Sequence, residues 1–418
     1  MTSGLYKALV SQGLLIPHEE RPLSESDVGA YRVLQPELVP FISYPYEWCA
    51  GQIRAAALAT LEIMKTALDH RLVLKDANAF NIQFMGSRAV LIDTLSFEIY
   101  EEGRPWVAYR QFCESFLAPL ALACYQDPLS TGLLRAHLNG LPLPLASRLL
   151  PMRTWFRFGV LTHIHMHAMA QSQLGEATRA ATRASVSKRS LMALIDSLRR
   201  TIEDLSRAPR RSAWSEYETT CSYTSASRGE KAEAVRGFLE ASKPNLVIDL
   251  GANSGAFSRI AKELGAYVVS IDADHDVIEG SFARGVAEKN ARVLPLTMDL
   301  TNPSPGLGWD SRERSSLAER GPADAVLALA LVHHLALANN IPLGMIAAWL
   351  ARLGRHVIVE FVPKTDPQSQ RLLAVREDVF DQYDRQHMEE ALAAHFSIVK
   401  TVELKDAGRV LYHCRERT

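Results

Sequence analysis

One stretch constrains this chain more than any other: Asn245-Leu-Val-Ile-Asp-Leu-Gly-Ala-Asn-Ser-Gly-Ala-Phe-Ser258. Leu246 to Leu250 has the length and apolar character of a buried strand, and its acid, Asp249, opens a turn reading Asp249-x-Gly251-x-Asn253-x-Gly255. A helix over Ala256–Leu264 follows at once. Glycines there let the backbone take turn angles closed to other residues and approach a ligand closely. The helix N-terminus beyond favours polar or negative groups. Such a turn predicts a nucleotide-like guest.

The residues around it repeat the pattern. A helix is expected over Glu230–Ala241, then strands over Tyr267–Asp272, Ala291–Asp299, Ala323–Leu331 and His356–Phe361. Helices over Val277–Asn290 and Leu343–Leu353 separate them. Apolar strands alternating with helices predict a parallel, doubly wound α/β sheet with ligands at the strand C-terminal ends. Phe396–Val402 and Arg409–His413 read as an antiparallel hairpin at one edge.

The acid selects among nucleotide cofactors. A dinucleotide fingerprint asks for Gly-x-Gly-x-x-Gly, and a phosphate loop for Gly-Lys-Ser/Thr. Neither is present. A carboxylate just before the first glycine repels pyrophosphate and suits a cationic ammonium group. The strand order and this turn resemble class I S-adenosylmethionine-dependent methyltransferases, over roughly residues 214–418. The resemblance implies a Rossmann-like seven-stranded domain with S-adenosyl-L-methionine as cofactor. It implies that Asp249, Gly251, Asn253 and Gly255 line the methionine moiety and that Asp272 bridges the ribose hydroxyls. Ala273 or Asp274 would border the adenine, Met298 would frame it, and Asp299 would accept from its amino group.

The acceptor side is less defined. The fourth strand leads to Ala330-Leu-Val-His-His-Leu335, which in this fold faces the transferred methyl group. His333 and His334 are candidates to orient a nucleophile or remove its proton, since imidazole titrates near neutral pH. The alternative is that they cap the strand and pack on the cofactor. Glu360, ending the fifth strand, is a second candidate for the acceptor pocket. Pro363–Pro367 is a candidate lid, and Tyr217 and Tyr223, with Trp214, are candidates to close over the site. Methyl transfer asks for alignment and water exclusion rather than covalent work by the protein, so the cofactor turn does not name the acceptor.

The first half carries a different pattern. A helix is expected over Gln52–Leu68, from apolar residues at helical spacing. After it, Asp76 and Asn81 have the Asp-x4-Asn spacing of a protein-kinase catalytic loop, and Asp93 ends the next strand, where kinases carry a metal-binding acid. Residues from about Phe41 to Tyr125 resemble the C-lobe core of kinase-like folds. The departures are large: Val73-Leu-Lys75 stands where His-Arg is usual, Thr94-Leu95 where Phe-Gly is, and no glycine-rich loop precedes them. The competing expectation is a polar turn whose side chains bond locally. Helices are expected over Leu133–Leu150 and Trp155–Gln171; the two-residue spacing of His163, His165 and His167 keeps them off one helical face and argues against a metal site.

Length and charge set the outer limits. A chain of 418 residues suggests two or three domains. The expected layout is a mainly helical α+β kinase-like accessory domain over 1–208, a linker and cofactor lid over 209–229, and the methyltransferase domain over 230–418. A formal net charge of -1 gives no overall electrostatic case for nucleic acid or membrane as partner. An arginine-rich segment over 175–211 is the one local exception, so an RNA methyltransferase is an alternative. Five scattered cysteines without a CxxC pair predict free thiols and a cytoplasmic setting, and Met1–Ile16 does not read as a secretory leader. The two-part layout, with Phe41-Ile-Ser-Tyr-Pro-Tyr-Glu-Trp48, Asp93-Thr-Leu-Ser-Phe-Glu98 and Glu360-Phe-Val-Pro-Lys364, is similar to nodulation-protein-like bacterial methyltransferases, which implies an O or N nucleophile on a small-molecule or glycan acceptor. A bifunctional kinase-methyltransferase and a non-catalytic cofactor sensor are the remaining alternatives, and no metal or oligomeric state is specified.

Overall fold

The computed structural model of the chain describes residues 3–24, 27, 29–173, 185–206, 225–374, 377–404 and 408–417. The chain divides into two compact units, Met1–Ala208 and Pro209–Thr418. Tyr217 and Tyr223, Trp214, and the arginines at 179, 183, 207, 210 and 211 lie outside the described residues.

In the N-terminal unit, α1 (Leu5–Ser11) precedes an antiparallel pair, β1 (His18–Arg21) and β2 (Val33–Pro36). The long α2 (Ala50–Asp69) buries Ile53, Ala56, Ala57, Leu61, Met64 and Leu68, the stripe expected from their spacing. Two short antiparallel pairs follow. β3 (Leu72–Leu74) pairs with β6 (Phe97–Ile99), and between them β4 (Ile82–Met85) and β5 (Arg88–Leu91) form a hairpin. The remainder is helical: α3 (Tyr109–Phe112), a π segment over Cys113–Leu117, α4 (Ala118–Tyr125), α5 (Leu143–Leu149), α6 (Phe158–Val160), α7 (Met166–Gln173) and α8 (Lys188–Asp204).

The helix expected over Leu133–Leu150 is absent as such. A 3-10 stretch, Pro128–Arg135, is followed by a turn and then α5. Gly140 breaks it, at φ 106 and against Glu114, where a side-chain carbon would lie 2.9 Å from Glu114 Cβ. The helix expected over Trp155–Gln171 is likewise broken, by a 3-10 turn over Met152–Phe156 and a π segment over Leu161–His165. His163 and His165 point to different partners, Tyr109 and Ser197 for the first, Ser147 and Thr154 for the second.

The C-terminal unit is a seven-stranded mixed sheet flanked by helices, a Rossmann-like domain. α9 (Ser225–Ser242) leads to β7 (Leu246–Leu250), then α10 (Ala256–Glu263), β8 (Tyr267–Asp272), α11 (His275–Ala287), β9 (Val293–Thr297) and β10 (Ala323–Ala328). After them come α12 (Leu343–Leu353), β11 (Gly354–Phe361), α13 (Pro367–Leu373), α14 (Arg385–Ala393), β12 (Phe396–Leu404) and β13 (Arg409–Glu416). The spatial order is β12-β13-β11-β10-β7-β8-β9. β7, β8, β9, β10 and β11 run parallel, and β13 is antiparallel to both β11 and β12. Val247, Ile248, Val268, Val269, Val326 and Leu327 are fully buried at its centre, which is why these strands read as continuous apolar runs. From β7 the chain winds outward through β8 and β9, then returns to place β10 on β7's other side. That reversal makes the carboxyl ends of β7 and β10 the topological switch point, where a crevice opens.

Candidate active site

The glycine turn sits in that crevice. Gly251 takes φ 69 and Gly255 φ 78, both in the left-handed region. Asn253 takes φ 47 between them, tolerable for asparagine. Ala252 N–H donates to the Ile271 carbonyl at 2.9 Å, which pins the turn to β8. A side-chain carbon at Gly251 would lie 3.5 Å from Leu331 Cδ1 and would intrude on the space the turn encloses.

Asp272, at the end of β8, is tied to the same turn. One carboxylate oxygen accepts from Asn253 N–H at 2.8 Å and the other from Asp274 N–H at 2.9 Å. Burial pushes its carboxyl pKa up, opposed by these backbone donors. Ala273 N–H adds a third backbone bond to the same carboxylate. Gly251, Asn253, Asp272, Ala273 and Asp299 all line one pocket, joined by Leu329, Ala330, Leu331 and His334 from the end of β10. Asp299 is exposed, and its Oδ1 accepts from Thr301 N–H at 2.9 Å and Thr301 hydroxyl at 2.7 Å.

Three expected cofactor residues do not line that pocket. Asp249 is 2% exposed and accepts from Ser258 Oγ at 2.6 Å beneath the turn. Burial raises its pKa to about 6, against the lowering effect of Ser258 and of Lys231. Its carboxylate braces the turn from below instead of facing the methionine moiety. Gly255 caps α10 at its N-terminus. Met298 is 2% exposed; its side chain is core, and its N–H donates to the Asp272 carbonyl at 2.9 Å.

The two histidines separate. His334 opens a π segment, His334–Ala338, and lines the pocket. Its carbonyl accepts from Asn339 Nδ2 at 2.9 Å. Such π segments concentrate at functional sites. Ala330, just upstream, takes φ 50, a strained conformation for alanine that turns the chain into the crevice. His333 is wholly buried behind, its ring 4.1 Å from that of His334, with no hydrogen-bond partner for either nitrogen. Burial lowers the His334 pKa to about 4, and burial also takes His333 well below the usual imidazole range. Both rings are neutral at pH 7. Of the two, His334 lines the pocket; His333 is corrected to a buried neighbour.

Glu360 is corrected as well. It is wholly buried, 2.6 Å from Lys231 Nζ and 3.3 Å from Arg409 Nη1. Arg409 Nε reaches Asp366 Oδ2 at 2.8 Å. With no exposed surface and a cation on each oxygen, Glu360 closes a buried ion chain and does not line the pocket beside the glycine turn. That chain ties α9 to the end of β11, the start of β13 and the N-cap of α13. Burial lowers the Lys231 pKa, with Glu360 opposing the shift. Lys231, Arg409, Asp366 and Ser258 were not singled out in the sequence. Ser258, three residues past the turn on α10, had a local signal, because a serine there faces back toward the strand-end acid.

The kinase-like residues of the N-terminal unit are arranged otherwise. Asp76 Oδ1 accepts from Asn78 N–H at 3.1 Å and Gln111 Nε2 at 2.8 Å. Asp93 accepts from Leu95 N–H at 2.8 Å and Ser96 Oγ at 2.6 Å. Asn81 Nδ2 stands 3.5 Å from the same Ser96 Oγ. Asp93 is thus engaged within its own turn, and Asp76 by its turn and by Gln111 of α3. Among the described residues no group of three or more His, Cys, Asp or Glu is placed to hold a metal ion, and no helix is long and apolar enough to cross a membrane.

No protein-family model matches the chain. Among solved structures, magnesium protoporphyrin IX methyltransferase (ChlM) from Synechocystis PCC 6803, with bound SAH, is similar at 18% identity and TM-score 0.33, over 46% of this chain and 84% of that one. N-methyltransferase NodS from Bradyrhizobium japonicum WM9 is similar at 12% identity and TM-score 0.36, over 46% of this chain and 98% of that one. Among curated proteins, nodulation protein NoeA of Rhizobium meliloti (strain 1021) is 37% identical over 415 residues, spanning 97% of this chain and 87% of that protein. With that identity sustained across both units, the chain belongs to the family of the nodulation protein NoeA.

Proposed function

We infer that the C-terminal unit is an S-adenosylmethionine-dependent methyltransferase, and we propose an O or N nucleophile of a small molecule or glycan as its acceptor. The observation that carries the reading is Asp272. Its carboxylate is fixed by the glycine turn's own Asn253 N–H, yet lines the pocket at the switch point of the sheet. A strand-end carboxylate held in this way at the pocket wall suits vicinal hydroxyls. The pocket beside it is lined by Asp299 and by the apolar side chains of Leu329, Leu331 and Leu335. This donor set fits the cofactor.

Bound there, S-adenosylmethionine supplies a methyl group already activated on a sulfonium. The protein's part is then to orient and to exclude water. Asp272 takes the ribose hydroxyls, Gly251 allows the close backbone approach, and Asp299 faces the adenine edge. His334, neutral at pH 7, offers a lone pair to the acceptor's hydroxyl or amine proton. Asp249 and the ion chain hold the strand ends from behind.

The N-terminal unit is proposed as an accessory, kinase-like only in its core, that shapes or recruits the acceptor. The residues around Asp76 and Asp93, Val73-Leu-Lys75 and Thr94-Leu95, with no glycine-rich loop before them, favour this over a second catalytic centre. Calorimetric titration with Mg-ATP checks it: no heat of binding is expected, and a saturable isotherm abolished by Asp93→Ala establishes a bifunctional enzyme instead. The acceptor is found by incubating the chain with methyl-labelled cofactor and separate metabolite, glycan and RNA fractions. Label is expected in the first or second; label in RNA alone contradicts the acceptor class.

A further inference from the structure

The N-terminal unit presents a stretch whose surface its own packing does not explain: Arg148-Leu-Leu-Pro-Met-Arg-Thr-Trp-Phe-Arg-Phe158. Leu149, Met152, Phe156 and Phe158 are exposed at 40%, 77%, 89% and 78%. Arg148, Arg153 and Arg157 are exposed among them. Single exposed apolar residues are ordinary on a protein surface, whereas bulky ones gathered in one short segment mark an interaction site.

The segment is held firmly from beneath. Leu150 and Thr154 are buried. Thr154 hydroxyl donates to the Pro151 carbonyl at 2.6 Å and lies 2.9 Å from His165 Nε2. Trp155 stacks on the His165 ring at 4.3 Å, and His165 Nδ1 is 2.7 Å from Ser147 Oγ. These inward contacts fix which side chains face out. Turning the two phenylalanines inward would break the bonds that organise the turn.

Charge identifies the partner. The sequence contains no Asp or Glu from Pro128 to Gln173, while Arg135, Arg148, Arg153 and Arg157 fall within it. Arg153 lies over the Tyr125 ring at 5.7 Å and donates to the Tyr125 carbonyl at 3.0 Å, keeping its guanidinium at the rim of the segment. Aromatic and aliphatic tips interleaved with arginines are the chemistry of a peripheral attachment to an anionic lipid surface. The tips enter the interfacial layer, and the guanidinium groups stay with the phosphates. The groove next to Phe156 and Phe158 has Asp196, Arg200 and Asp204 of α8 on its other wall. That mixed charge keeps α8 out of the headgroup layer and limits entry to the segment's tips.

We propose that residues 148–158 are a membrane-docking loop, with Met152, Phe156 and Phe158 entering the interface of an anionic bilayer and Arg148, Arg153 and Arg157 binding its headgroup phosphates. The chain's net charge of -1 conceals this local surface. The proposal stands apart from methyl transfer and survives if that reading fails.

Vesicle co-sedimentation of the full chain tests it, with phosphatidylglycerol–phosphatidylcholine vesicles against phosphatidylcholine alone. Binding to the anionic vesicles is expected, at least tenfold weaker to the neutral ones and weakened by salt. The Phe156→Ser/Phe158→Ser variant should lose at least tenfold in affinity while keeping the wild-type thermal unfolding midpoint. Arg148→Gln/Arg157→Gln, which removes charge and leaves the rings, should lose affinity for anionic vesicles only. No sedimentation with anionic vesicles overturns the proposal, as does wild-type affinity for them in either variant. A concentration-dependent dimer in light scattering that the ring variant abolishes, without vesicle binding, assigns the loop to a second copy of the chain and also overturns it.

Discussion

The two units each carry a set of acids that sequence spacing makes resemble a nucleotide site, and the two sets end differently. In the C-terminal unit, Asp272 and Asp299 come from the ends of two parallel strands and line one pocket with the glycine turn. In the N-terminal unit, Asp76 is spent on Asn78 and Gln111, and Asp93 on Leu95 and Ser96. Spacing alone does not make a site. The parallel sheet supplies convergence, because its switch point opens a crevice that neighbouring strand ends must face. Beside the β4–β5 hairpin, Asp93 takes partners two and three residues on, and Asp76 takes Asn78 and the α3 side chain of Gln111.

The sharpest challenge to this contrast is mounted from behind the pocket. Glu360→Ala leaves Lys231 and Arg409 buried without their shared carboxylate. Removing one partner of a buried pair costs about 3–5 kcal/mol, so denaturant unfolding should show a loss of that order. A loss below about 1 kcal/mol would mean the ion chain is not structural and would reopen Glu360 as an acceptor group.

The next effect concerns Asp249. Its folded pKa of about 6 lies above the ordinary 3.8. The folded state therefore holds this proton more tightly than the unfolded state. The group's contribution is fully present below pH about 4, declines as pH rises, and is gone above pH about 6. A shift of this size corresponds to about 3 kcal/mol. Asp249→Asn should flatten the wild-type loss of stability between pH 4 and pH 6; parallel urea curves for the two proteins across that range would contradict the burial of a charged Asp249.

A third test addresses the pocket's acceptor end. His334→Ala should lower methyl labelling of the identified acceptor about 100-fold or more, in the range of general-base losses, with cofactor affinity changed less than about threefold. With its pKa near 4, His334 should give no inflection of rate near pH 6.5. An equal or larger loss from His333→Ala would reverse the assignment, and an inflection near pH 6.5 would contradict the lowered imidazole pKa of both. The smallest effect is expected in the N-terminal unit. Asp93→Ala removes two local bonds in a partly exposed turn, each contributing about 0.5–1.5 kcal/mol, and should leave methyl transfer unchanged. Loss of transfer there would give the unit a direct catalytic part.

The sheet was legible because its strands are buried on both faces and read as apolar runs ending in acids, as at Tyr267–Asp272. The same signal misled at Glu360, whose strand-end position looks like that of Asp272. The difference lies in Lys231 and Arg409, 129 and 49 residues away in sequence. No local pattern announces a pair so distant. The helices expected over Leu133–Leu150 and Trp155–Gln171 failed for a related reason. Their apolar spacing was sound, but the close approach of Gly140 to Glu114 and the π turn at His163 answer to tertiary packing. His333 and His334 were indistinguishable as neighbours; only the π segment separates the one that faces the pocket from the one behind it. The exposed arginine and aromatic loop was hidden by averaging charge over the whole chain.

The central claim is that Asp272 and the glycine turn form a binding site for S-adenosylmethionine. Isothermal titration of the full chain with the cofactor, wild type against Asp272→Ala, tests it most directly. The prediction is one saturable site in the wild type, weakened about 100-fold or more by the substitution, as expected when about 3 kcal/mol of hydrogen bonding to a charged group is lost. No binding by the wild type, or equal binding by the variant, would contradict it.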